Sequence, residues 1–366
     1  VQACDPWGDN AAQHAWERDS LDAHVLAFFQ TATWARAASA YDVAIGRRPV
    51  LLTCHGPHGA SFSLPLSIAR EGGCKVARIL GEQLAEYADA VGPAVTGDGL
   101  RAGFALLRRQ YRVDLVALRR VPKATALAAA LDEIGAMAAA PQDSPWIALG
   151  SAGPLPNGNG GRVTGYRLAC RYRRALQRKD GYGFEVLAAE AVATDLLRLA
   201  LGWKKQWIRK RQLVSRVGTE ALDDAICRLF TTPGIGAIVG VLRSGGEPVA
   251  VETGFAYKDR FYTALRAFRP DRHAQRPGKV ALCEMIEWCA GQGLQAFDHG
   301  PPADDYKLEW TDRSLAVASR LVPLSPLGQV HGRVFEGLLK PAAQAAFRSL
   351  PEPVRTMLLR LTPYAH

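Results

Sequence analysis

The sequence predicts an α+β protein with α/β-type layers in two domains, the second a mostly antiparallel sheet with helices packed on it. Three observations predict it. Residues 236–267 hold three apolar runs separated by the tight-turn signals SGGE and YKDR, which is the pattern of an antiparallel meander. A Gly-led helical pattern at 278–291 and a short strand at 296–298 follow, so strands and helices share one layered core. The 366-residue chain is too long for one ordinary core, and its strongest loop signal, GSAGPLPNGNGGRVTG at 150–165, lies near the middle. Residues 1–155 are therefore expected to form an N-terminal lobe, 156–330 a C-terminal lobe and 331–366 a helical tail.

In chain order, residues 21–29 and 34–41 read as short helices, and 49–54 and 61–68 as strands joined by HGPHG. Residues 113–118 read as a strand. Residues 124–140 are Ala-rich and helical by propensity. Beyond the central loop, a basic helix runs from about 166 to 180 and a strand over 183–187. A helix from about 191 carries LALGWKKQW, and another covers 219–230. The meander, the Gly-led helix and the strand 296–298 come next, then a last strand over 315–321. The tail 334–361 reads as two apolar-periodic helices split near Pro351 and Pro353, which pack on the domain or lie on a membrane surface.

Composition narrows the function classes. With 48% apolar and 22% charged residues the chain reads as globular, and no run of eighteen apolar residues predicts a membrane-spanning helix. Neither a basic start nor an apolar stretch opens the chain, so no signal peptide is read. Seven cysteines at irregular spacing, without a CxxC pair, predict reduced thiols in a cytoplasmic protein and no zinc site. His55 and His58 have no acidic or thiol partner at ligand spacing, so no metal is expected. Lys plus Arg number 45 against 35 Asp plus Glu. Part of the excess is concentrated in Arg171, Arg173, Arg174, Arg178 and Lys179, and in Lys204, Lys205, Arg209, Lys210 and Arg211. Such clusters attract phosphates of a cofactor, a nucleic acid or an anionic membrane, or are simply solvated helix faces.

The helix start at Pro277-Gly278 follows a strand and a turn, and a glycine there lets backbone N–H groups approach a phosphate. Arg272, Arg276 and Lys279 add charge beside it; a simple helix cap is the other reading. With the meander before it and the strand after it, this order of elements resembles the core of the GNAT acyltransferase superfamily. The stretch Gln275-Arg276-Pro277-Gly278-Lys279-Val280 resembles that superfamily's coenzyme A pyrophosphate loop, with Gln275 and Gly278 matching and Val280 in place of a small residue. YRRALQRK, WKKQW, RPGKVAL and FDHGPPADDYKLEW, over roughly 166–310, resemble more closely the CelD-like branch, which is related to the FemABX aminoacyltransferases. TATWARAASAYD and SLPLSI resemble the same branch more loosely, so the resemblance implies two GNAT-like lobes in tandem, each a mixed, mostly antiparallel sheet flanked by helices.

The resemblance implies an acyl-CoA co-substrate held by Gln275, Arg276, Gly278 and Lys279. Acyl transfer from a thioester to an amine needs a polarised carbonyl and a base. Asp298, His299, Tyr306 and Lys307 supply base, acid and cation within ten residues. His299 titrates near neutrality and is the candidate base, with Glu252 its rival. Tyr306 can donate to the leaving thiolate, and Lys307 can hold a phosphate or carboxylate. The same residues also have plain structural uses: Asp298 can cap the GPP turn, and Tyr306 and Trp310 can be core aromatics. Lys204 and Trp207, three residues apart on a helix, border the acceptor cleft in the resemblance, or are a lysine stem laid over an apolar face. Glu86, Tyr87 and Asp89 of the N-terminal lobe match the branch's acidic segment and can receive an amine.

Three readings of function stay open. The first is an N-acyltransferase that moves an acyl group from CoA to an amine on a sugar or lipid, such as a polysaccharide precursor or a sphingoid base. It would be cytoplasmic and in peripheral contact with an anionic inner membrane face. The second is an aminoacyltransferase that uses aminoacyl-tRNA. The third is a non-catalytic GNAT-like component of polysaccharide or lipid assembly.

Overall fold

In the computed structural model of the chain, the described residues are 1–55, 61–93, 95–150, 164–178, 181–211, 219–311, 313–334 and 346. They divide into two units, and the division cuts across chain order. The first unit takes Val1–Asp143 and the chain again from Leu315, while the second takes Ser144–Ser314. Residues 144–150 thus go with the second unit and 315–330 with the first, whereas the lobes expected from the sequence are 1–155 and 156–330.

The first unit holds β1 (Gln2–Cys4), α1 (Asn10–Leu21), α2 (Ala32–Ala44), β2 (Arg48–His55), β3 (Ser61–Glu71), β4 (Cys74–Ile79), α3 (Gly97–Tyr111), β5 (Leu115–Pro122) and α4 (Ala126–Glu133). After these come the first residues of β6 (Met137–Ala148) and most of a strand from the far end of the chain. That last strand, β12 (Ser314–Pro323), pairs antiparallel with β5. The sheet order is β1-β2-β3-β4-β5-β12, antiparallel except for the parallel β4–β5 pair. Leu52, Leu64 and Val116 pack with Leu100, Phe104, Leu127 and Leu131 of α3 and α4 to form its core.

Several local expectations are corrected here. The helix expected over 21–29 lies earlier, at α1, where Asp9 accepts the Ala12 N–H as N-cap; Val25–Gln30 is only a 3₁₀ turn. The helix expected over 124–140 stops at Glu133, because Gly135 takes a left-handed φ of 75° and the chain then extends into β6. Strand pairing overrides the helical propensity of its alanines.

The second unit holds α5 (Thr164–Gln177), β7 (Gly183–Ala188), α6 (Thr194–Arg211), α7 (Glu220–Thr231), β8 (Ala237–Ser244), β9 (Glu247–Tyr257), β10 (Arg260–Phe268), α8 (Pro277–Gly291), β11 (Ala296–Asp298) and α9 (Asp305–Leu308). With the end of β6, its strands run in the order β6-β11-β10-β9-β8-β7, and only β10–β11 is parallel. The SGGE turn takes left-handed φ values at Gly245 (67°) and Gly246 (78°), the conformation a two-residue hairpin needs. Helices cover both faces of this sheet. Phe255 stacks on Phe230 of α7 at 4.9 Å, while its neighbour Ala256 packs against the cluster that joins α5 and α8. Tyr166 and Arg173 of α5 both bind Glu287 of α8, and Tyr182 binds Glu284.

No helix among the described residues is long and apolar enough to cross a membrane. A short helix, α10 (Pro326–Val330), follows β12. The two helices expected over 334–361 fall almost wholly outside the described residues, as do His58 and Lys179; His55 is exposed.

Candidate active site

A cleft of about 460 Å³ opens in the second unit. Its walls are the end of β10 (Arg266, Ala267, Phe268), His273 and Arg276 from the turn that follows, and the start of α8 (Pro277, Gly278, Lys279, Leu282). Trp203, Lys204, Trp207 and Arg211 of α6 complete it with Asp304, Tyr306 and Trp310. The lining is apolar and aromatic with cations set into it, and among the described residues Asp304 is its one carboxylate.

At one end lies the α8 N-terminus. Pro277 occupies its first turn, no side chain caps it, and Arg276 precedes it at φ 50°, ψ 45°. A Cβ on Gly278 would come within 3.0 Å of the Phe268 ring, so glycine is what lets α8 start close against β10. Arg276 is exposed with no carboxylate partner among the described residues, and Lys279 pairs with Glu309. Backbone N–H groups, helix dipole and two cations together suit an anion. Val280 is fully buried with Leu176, Leu242 and Val249, so its bulk fills the core and is not offered to the cleft. Gln275 lies outside the cleft lining, its Oε1 buried without a partner among the described residues.

Toward the sheet, Arg266 of β10 faces Glu252 of β9 as its cross-strand neighbour. The contact is bidentate, Nε–Oε2 2.5 Å and Nη2–Oε1 2.9 Å. Burial pushes the Glu252 carboxyl up and Arg266 pulls it back. Because a guanidinium stays protonated, the pair is ionic. A register shift between Thr263 and Arg266 makes it possible. In the register set by Tyr257↔Arg260, Glu252 would face Leu265. A one-residue bulge, held by the Thr253 hydroxyl on both the N–H and C=O of Leu265 at 2.9 Å, brings Arg266 opposite instead. Arg266 was not singled out from the sequence. The signal was one opposite charge inside each of the apolar runs VAVETGFAY and RFYTALRAF, obscured by the bulge.

Above this pair, the Arg266 guanidinium lies 5.2 Å from the ring of Tyr306, which is 43% exposed. The Lys204 ammonium sits 4.7 Å over the Trp207 ring and has no carboxylate partner among the described residues. Burial and then Arg266 push it down to about 8, against the pull of Glu252.

The structure brings Lys204, Trp207, Arg276, Gly278, Lys279 and Tyr306 to one cleft and places the other candidates elsewhere. Asp298 is buried, accepts from Arg260 Nη1 at 2.9 Å and from the Gly300 N–H at 2.9 Å, and so shapes the turn after β11. Lys307 donates to Gly300 O at 2.7 Å and Pro302 O at 2.9 Å, clamping the same turn. His299 is buried edge-on to Phe297, and neither ring nitrogen has a hydrogen-bond partner among the described residues. Burial, then Arg266 and Lys307, hold its imidazole well below the usual range, hence neutral. Neither His299, Lys307, Asp298 nor Glu252 lines the cleft.

In the first unit, Glu86 pairs with Arg120 at 3.1 Å and Tyr87 is a core residue against Phe29. Asp89 is buried, accepts the Ala90 N–H, and is pushed up to about 7 by burial. It lines a separate cavity of about 640 Å³ with Asp19, Asp22 and His24. Among the described residues no group of His, Cys, Asp and Glu is arranged to hold a metal ion.

Comparison with known proteins gives the same fold. Residues 167–308 match the family described as Acetyltransferase (GNAT) domain. Among solved structures, FemX aligns over 90% of this chain and 99% of its own, with a TM-score of 0.58 at 10% identity. A conserved protein of unknown function from Bacteroides thetaiotaomicron aligns over 88% and 99%, with a TM-score of 0.57 at 11% identity. The C-terminal domain of a putative lysylphosphatidylglycerol synthetase from Agrobacterium fabrum aligns over 88% and 95%, with a TM-score of 0.54 at 14% identity. None of the curated proteins matches the chain in sequence.

Proposed function

We propose that the chain is an acyl-CoA-dependent N-acyltransferase of the CelD-like branch, acting on an amine carried by a sugar or lipid. One observation carries this reading: the uncapped, glycine-led start of α8, flanked by Arg276 and Lys279, opens into an apolar-walled cleft that also holds an amine, a phenol and an arginine. The donor pyrophosphate sits at the helix N-terminus, with its acyl arm along Phe268, Leu282 and Trp310. The acceptor nitrogen attacks the thioester carbonyl carbon, the C–S bond breaks, and the acyl group leaves as an amide. Tyr306 supplies the proton that the departing sulfur takes up. Lys204 receives the proton the acceptor nitrogen loses, since Glu252 and Asp298 are committed to arginines and His299 lies behind the wall. The acceptor is presented at an anionic membrane face, which the net charge of +10 favours.

The test is thermal unfolding against a panel of acyl-CoAs. A ligand that binds the native state raises apparent stability by about 2.7 kcal/mol at a hundred times its dissociation constant. No stabilisation by any chain length at millimolar ligand would sink the reading.

A second reading is favoured by a different feature. Arg167, Arg171 and Arg174 are exposed along one side of α5, and exposed Arg178 follows just past its end, all without carboxylate partners among the described residues. An aminoacyl-tRNA donor would use that stripe on its phosphates. Nucleic acid that co-purifies and is released by salt would select it.

A further inference from the structure

We propose that Lys204 is itself a site of acylation: when a thioester donor occupies the cleft and no acceptor is bound, the Lys204 ε-amine takes the acyl group. The proposal rests on the donor reading above.

Lys204 leaves α6 into the same cleft as Arg276, Gly278 and Lys279, so a thioester seated from the α8 end shares one enclosure with its amine. The amine is uncommitted: it lies over Trp207 and has no carboxylate partner among the described residues. Its neighbour Lys205, by contrast, is held by Asp223 at 2.5 Å. The groups around Lys204 are Arg266 of β10, Glu252 of β9, and Asp304 and Lys307 at α9. The turn before α8 adds His273 to the same wall. On α7, Asp223 and Asp224 are taken by Lys205 and Arg198. Glu252 is itself held by Arg266. Burial and the facing guanidinium therefore both disfavour the ammonium, and the amine titrates at about 8. A desolvated lysine beside another cation is a nucleophile near neutral pH, which an exposed lysine is not.

The step balances without a further reagent. The nitrogen lone pair bonds to the thioester carbonyl carbon, and the C–S bond breaks with its electron pair on sulfur. The nitrogen's proton passes to that thiolate, leaving an amide on Lys204 and free CoA thiol. The amide is stable, so the modified cleft loses both a cation and its proton acceptor.

The test uses the full chain with acetyl-CoA and no acceptor, followed by intact mass and peptide mapping. One acetyl group per chain is expected, at Lys204, forming several-fold faster at pH 8.5 than at pH 7. Lys204→Arg should lose it while CoA still stabilises that variant against heat. Stabilisation of the wild type by CoA without an adduct at Lys204 would overturn the proposal and leave the donor reading standing. No stabilisation and no adduct would remove both. Acetyl groups spread over exposed lysines such as Lys210, at the rate seen in urea, would also overturn it.

Discussion

Arg266 and Glu252 stand opposite each other on β10 and β9 and close a bidentate ion pair beneath the cleft, with the glutamate wholly buried. Removing one partner leaves the other charge without compensation. Arg266→Ala is expected to cost about 3–5 kcal/mol in urea unfolding. Replacing both by methionine should recover most of that loss. A single variant that unfolds like the wild type would show that the pair carries no such role.

Arg276 contributes a charge from a left-handed backbone position, φ 50°. Arg276→Gly removes the charge and keeps the backbone permissible, so stability should hold within about 1 kcal/mol. Affinity for CoA, measured by calorimetry, should fall roughly fivefold, equivalent to about 1 kcal/mol. Its salt dependence should be weaker than in the wild type. Unchanged affinity at low salt would place the donor phosphates elsewhere.

Tyr306→Phe keeps the aromatic surface beside Arg266 and deletes the phenolic proton. The turnover of any acceptor found should drop at least about tenfold, with acyl-CoA affinity unchanged. An equal loss in binding and turnover would make Tyr306 a wall residue only.

His299 predicts a pH response. Burial and the two cations hold it neutral in the folded chain, whereas the unfolded chain protonates it below about 6.5. Stability contributed there is present above that pH and lost as pH falls. Urea midpoints at pH 7.5 and 5.5 should therefore diverge for the wild type. The gap should narrow in His299→Gln. An unaltered gap would mean that other groups set the acid limit.

Asp89 predicts the reverse trend. Its carboxyl is raised from 3.8 to about 7, so the folded chain holds the proton longer than the unfolded one. Stability is full below about pH 4 and declines as pH rises through 7, by up to roughly 4 kcal/mol, at about 1.4 kcal/mol per pH unit. Asp89→Asn should abolish that decline; hydrogen exchange of first-unit amides across this range is the measurement.

The parts of this molecule visible in its sequence are those set by local pattern. The SGGE turn and the apolar runs around it identified the meander, and Pro277-Gly278 identified the helix that starts the cleft. Arg266 escaped notice because its partner depends on a bulge, and a bulge shifts register without changing composition. His299 and Lys307 looked chemical by residue type, yet burial and backbone carbonyls claim them; type and spacing carry no information on which way a side chain faces. The alanines of 136–140 read as helix because propensity is local and the strand that recruits them is not.

The return of β12 to the first unit has a consequence for synthesis. β5 is made early, but its antiparallel partner, Val317–Pro323, leaves the ribosome nearly two hundred residues later, after the whole of Ser144–Ser314. The segment Ser144–Ser314 occupies that interval, and the first unit must wait through it with one edge of its sheet unpaired. At typical rates of about 5–20 residues per second, that wait is on the order of ten seconds or more. The unit begun first is therefore still open when Ser314 has been made, and the open edge of β5 is where a nascent chain would be caught by another strand.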